Sequence, residues 1–79
     1  MPPAYPEFFK QHYVLVKRLE EMLTTDPNQV VRSARQSIRQ FEFFKPADED
    51  EEDLKVIAIE TYEELIARAE AVLAGRGGI

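Results

Sequence analysis

Arg32, Arg35 and Arg39 are spaced i, i+3 and i+7, so a helix through them stacks three guanidinium groups along one side. Phe43 follows Arg39 by four residues, within reach of a cation–π contact, and Gln36 and Gln40 stand beside the row. Planar guanidinium forks match the oxygens of phosphate or carboxylate. Three readings of the row are open, in this order of weight. It is a solvated face whose Arg stems lie over apolar neighbours, or it meets an acidic protein surface, or it meets nucleic acid. The partner-binding set is therefore Arg32, Arg35, Arg39 and Phe43.

An acidic run, DEDEED, occupies residues 48–53. It has no central Gly and no alternation of ligands, so it does not fit a calcium-binding loop. It reads first as a solubilising hinge. Two other uses are a mimic of nucleic-acid charge toward a basic cleft, and a segment that folds back on the arginines, in one chain or across a dimer. Exposed pairs of that last kind contribute only about 0–1 kcal/mol each.

Catalytic chemistry finds little support. The chain has one His and no Cys, which removes disulfides, thiol catalysis and Cys-based zinc sites. His12 is expected on an apolar helix face, hydrogen-bonded at the core edge, or acting as a pH switch at a symmetric interface. No nucleophile stands at a readable spacing from it, and Ser33 and Ser37 lack a Gly-x-Ser-x-Gly context. Gly occurs only at 75, 77 and 78, so no Gly-rich phosphate loop exists. The expectation is a protein that is not an enzyme, with no cofactor and no metal site.

The elements that must position these residues follow from periodicity and punctuation. With 79 residues the chain makes one small domain. Pro2, Pro3 and Pro6 make residues 1–5 a Pro-rich arm and place Pro6 at a helix start. Helix A is predicted over 6–24, with Phe8, Phe9, His12, Leu15, Val16, Leu19, Met22 and Leu23 on one face and Val14 exposed. Thr25 or Asp26 caps the next helix and Pro27 suits its first position. Helix B is predicted over 27–44. It carries Val30, Val31, Ala34, Ser37, Ile38, Phe41 and Phe44 inward and Arg32, Gln36, Arg39 and Phe43 outward, with Arg35 at the margin. The short link makes A and B an αα-hairpin.

Residues 45–51 form the acidic hinge, 52–74 helix C, and 75–79 a frayed tail after the natural stop at Gly75. Leu54, Ala58, Tyr62, Leu65, Ile66, Ala69, Val72 and Leu73 share one face of helix C, while Lys55 and Val56 break the pattern. Glu64 and Arg68 form an i, i+4 pair. A rival parse makes residues 55–59 a strand paired with residues 41–44, and starts a helix at the Thr61-x-x-Glu64 box. A two-stranded sheet is weak in water, so the all-α, three-helix reading is preferred.

The apolar arc of helix A is wider than the roughly 100° stripe a surface helix needs. Chains below about 80 residues also commonly rely on oligomerisation. A two-fold helical-bundle homodimer is therefore expected, drawing its core and seam from Phe8, Phe9, His12, Leu15, Val16, Leu19, Leu23, Val31, Ile38, Phe41, Phe44, Tyr62, Leu65, Ile66 and Leu73. Net charge is −5 and the pI about 4.8, which argues against general nucleic-acid affinity but permits a local basic patch. No run approaches a membrane span and the N-terminal residues do not resemble a signal peptide, so a cytoplasmic protein without membrane contact is expected. The function expected is a non-catalytic protein–protein interaction or regulatory module: an adaptor, inhibitor or accessory protein. The alternatives are nucleic-acid binding through the Arg face of helix B and a purely structural subunit of a larger assembly.

Overall fold

The computed structural model describes residues 7–77, which form three helices: α1 (Glu7–Met22), α2 (Pro27–Phe43) and α3 (Glu49–Gly77). No strand occurs among the described residues, so residues 55–59 are helical. Thr61 does not open a helix. It sits inside α3 and donates its hydroxyl to the Ile57 carbonyl at 2.8 Å. Among the described residues no helix is long and apolar enough to cross a membrane.

Each boundary has a local cause. The chain leaves α1 at Met22, whose carbonyl accepts the Asp26 N–H at 2.8 Å across the turn, two residues before the predicted end. Asp26, not Thr25, is the N-cap of α2: its carboxylate accepts the Gln29 N–H at 3.3 Å, and Pro27 takes the first helical position. Phe44 closes α2 as an extended C-cap instead of its last helical residue. Pro6, the Pro-rich arm, Gly78 and Ile79 lie outside the described residues.

The largest departure from the sequence reading is α3. The acidic run is not a hinge but the start of this helix. The Asp48 carboxylate accepts the Glu51 N–H at 2.9 Å, and the Glu51 carboxylate reaches back to the Ala47 N–H at 3.0 Å. This reciprocal pair resembles a capping box, and the acids of the first turn oppose the positive end of the helix dipole. At the other end the helix runs through Gly75 to Gly77, and the Arg76 guanidinium donates to the Thr24 carbonyl in the α1–α2 turn. Gly75 has no positive φ and so does not act as a left-handed stop.

Antiparallel pairing of α2 and α3 makes most of the helix–helix contact. Its seam carries Ala34, Ser37 and Ala69, small side chains that let two backbones approach closely. α1 runs antiparallel to α2 and touches both partners less, because its seam is aromatic. Phe8 stacks on Phe44 with centroids 5.0 Å apart, and Phe41, fully buried, meets Phe8, Phe9 and His12. The shared core is Leu19, Leu23, Val30, Phe41, Tyr62 and Leu65. Full burial of one such aliphatic or aromatic side chain contributes roughly 1.5–3 kcal/mol. Lys55, which interrupts the apolar pattern of α3, donates its ammonium to the Phe44 carbonyl at 3.0 Å and secures the α2–α3 link.

Candidate functional site

The arginine row of α2 forms one wall of an open cleft against the C-terminal half of α3. Asn28, Arg32, Arg35, Gln36 and Arg39 come from α2, Glu70 and Leu73 from α3, and Val31 and Leu73 are its half-buried apolar part. The cleft encloses about 640 Å³. The arginines project because Val30, Ala34, Ser37 and Phe41 take the opposite side of α2 into the core, and the 3.6-residue period turns Arg32, Arg35 and Arg39 outward. Arg35 Nη2 lies 3.9 Å from Glu70 Oε2, with both side chains well exposed to water.

Not all the predicted site residues converge. Arg32, Arg35 and Arg39 share the cleft, whereas Phe43, 84 % exposed, does not line it. The cation–π contact formed among the described residues is Lys17 over Tyr13, at 5.6 Å, and not Arg39 on Phe43. Within the chain the acids of residues 48–53 do not fold back on the arginines, since Asp48 and Glu51 are engaged in starting α3 at the far end of the α2–α3 pair. Glu64 and Arg68 do not form an ion pair either. The cleft thus gathers three forked cations, groups whose geometry matches the oxygens of carboxylate or phosphate. Among the described residues no group of three His or carboxylate side chains is placed to hold a metal ion.

A second surface lies on the other side, between α1 and α3. Phe9, Tyr13, Leu54 and Ile57 line it, and Lys10 and Lys17 stand on its α1 rim. Tyr13 is 65 % exposed, Ile57 58 % and Val14 57 %, a high exposure for three large apolar side chains. Phe8, Phe9, Leu15 and Val16 are only partly covered by the rest of the chain.

His12 is inside, and its Nδ1 lies 2.7 Å from the Tyr62 hydroxyl. Burial lowers its pKa, while the Gln40 side chain pulls weakly the other way. Burial likewise raises the Tyr62 pKa, opposed by the Ser37 side chain. The dyad is buried at the floor of the α1–α3 groove, with the Ser37 and Gln40 side chains beside it.

Sequence reasoning missed Glu70 as a cleft residue and Tyr13 and Ile57 as a shared surface. Glu70 stands among the polar positions of its helix with nothing to distinguish it from Glu63 or Glu64. Only the register of α3 on α2 brings it to Arg35. A signal for Tyr13 did exist, since it borders a face already too wide for one helix. Fold and surfaces together define a three-helix protein with two unlike exposed sides, one cationic and one apolar. The chain matches no protein-family model, no curated protein and no solved structure.

Proposed function

We propose that the protein is a small non-catalytic interaction or regulatory module of the adaptor, inhibitor or accessory type, working in the cytoplasm as a homodimer that binds another protein. The observation that carries this reading is the uncovered apolar strip of Tyr13, Val14 and Ile57 along the α1–α3 groove. A two-fold operation that lays the strip on itself can bring Lys10 and Lys17 of one protomer toward Asp53 and Glu60 of the other, which stand four residues before and three after Ile57 along α3. Such a seam removes apolar side chains from water and leaves the arginine cleft free for a different protein.

Light scattering coupled to size exclusion tests the dimer. At micromolar concentration the expected mass is twice the 9.1 kDa of one chain. Tyr13→Asp and Ile57→Asp should each return it to one chain with the helical circular dichroism preserved, because both positions are exposed in the protomer. A wild-type protein that stays at one chain's mass overturns the dimer.

A further inference from the structure

We infer that the cleft between α2 and α3 is a docking site for an acidic segment of another protein, one that presents an aliphatic side chain among its carboxylates. The inference deepens the interaction-module reading and rests on it, but not on the dimer.

Charge complementarity comes first. Three arginines and one glutamate line the cleft of a chain whose net charge is −5, so the cleft is a local cationic site on an anionic protein. Arg32 to Arg39 covers two helical turns, about 10 Å, which matches carboxylates presented at i, i+3 and i+7 by an acidic helix. The acids that could have filled the cleft from within are held at the opposite end of the α2–α3 pair, where they start α3.

Glu70 shows what the cleft accepts. It is a carboxylate already beside Arg35, at 3.9 Å, but the pair is open to water on both sides. Such a pair is weak and is exchanged readily for an incoming carboxylate. Glu70 thus acts as a built-in competitor, raising the charge density a partner needs before it docks. The apolar part formed by Val31 and Leu73 suits an aliphatic group. It has little to offer a sugar–phosphate backbone, and the exposed aromatic Phe43, which could stack on a base, lies outside the lining.

The test uses fluorescence anisotropy on the full chain at about 50 mM salt, where exposed charges are least screened. The probe is a labelled helical peptide with glutamates at i, i+3 and i+7 around a leucine. Its Glu→Gln counterpart and a labelled single-stranded DNA serve as comparisons. The Glu peptide should bind, the Gln peptide should bind at least about tenfold more weakly, and DNA more weakly still. Arg35→Ala and Arg39→Ala should each weaken binding about two- to fivefold, and Glu70→Gln should tighten it by a similar factor. All arms are repeated with Tyr13→Asp, where retained peptide binding separates this site from the dimer seam. No binding of the Glu peptide, tighter binding of DNA, or a Glu70→Gln variant that binds no more tightly overturns the inference. In those cases a wild-type dimer still leaves the broader module reading standing.

Discussion

His12 Nδ1 and the Tyr62 hydroxyl meet at 2.7 Å across fifty residues of chain, inside the only dense cluster of aromatic rings among the described residues. With His12 protonated at Nε2, Nδ1 accepts the Tyr62 proton, and both polar tips are satisfied without water. The pair fastens α1 to α3 where small-residue packing does not.

A pH dependence follows from it. Burial holds the folded-state pKa of His12 below its ordinary 6.5. Below that value the unfolded chain takes up a proton that the folded chain resists. The stability associated with neutral His12 is therefore complete above about pH 6.5 and is lost as pH falls toward the folded-state pKa. Urea midpoints at about pH 7.5 and about pH 5.5 should differ more for the wild type than for His12→Phe. Equal differences would show that His12 does not contribute. At the alkaline end the raised Tyr62 pKa has the opposite consequence: stability is lost as pH climbs above about 10.

Gly75 offers a stabilising substitution. It lies within α3 with no positive φ, and a Cβ placed there meets nothing within 4 Å. Gly75→Ala should stabilise the protein by about 0.5–1 kcal/mol, mainly by reducing the freedom of the unfolded chain. Calorimetry should record a rise in Tm of a few degrees. A fall in Tm would mean that the last turn of α3 is not helical in solution.

Phe41 is one of the largest fully buried side chains. Its ring meets Phe8, Phe9, His12 and Tyr62. Phe41→Ala should cost about 3–5 kcal/mol. At roughly 0.05–0.15 kcal/mol per residue a 79-residue chain holds about 4–12 kcal/mol, so the variant should lose a large share of its stability. Loss of circular dichroism or a sharply lowered urea midpoint is the readout, and a loss below about 1 kcal/mol would contradict the packing described.

Much of the architecture was legible because it rests on local rules. The 3.6-residue period marked three amphipathic helices, Asp26–Pro27 marked the start of α2, and the absence of clean alternation kept residues 55–59 out of a strand. The inward and outward sides of α2 could be read from Val30, Ala34, Phe41 and the arginines alone. The length of α3 was not legible because its local signals oppose one another. Six like charges suggested repulsion and Gly75 suggested a stop, whereas Asp48 capping, the helix dipole and the Arg76 contact to Thr24 together extend the helix at both ends.

The sequence by itself determined three amphipathic helices and turned Arg32, Arg35 and Arg39 to one side of the second. Periodicity and capping act within a few residues, so neighbours in the chain decide them. Only the tertiary structure decided what faces those arginines. The close α2–α3 seam made by Ala34, Ser37 and Ala69 fixes the register that brings Glu70 and Leu73 to the cleft and holds the acidic run at the other end. The bulk of Phe8, Phe9 and Phe41 holds α1 further away and leaves Tyr13 and Ile57 uncovered. Both outcomes depend on side-chain volumes meeting across helices, which no single helix specifies.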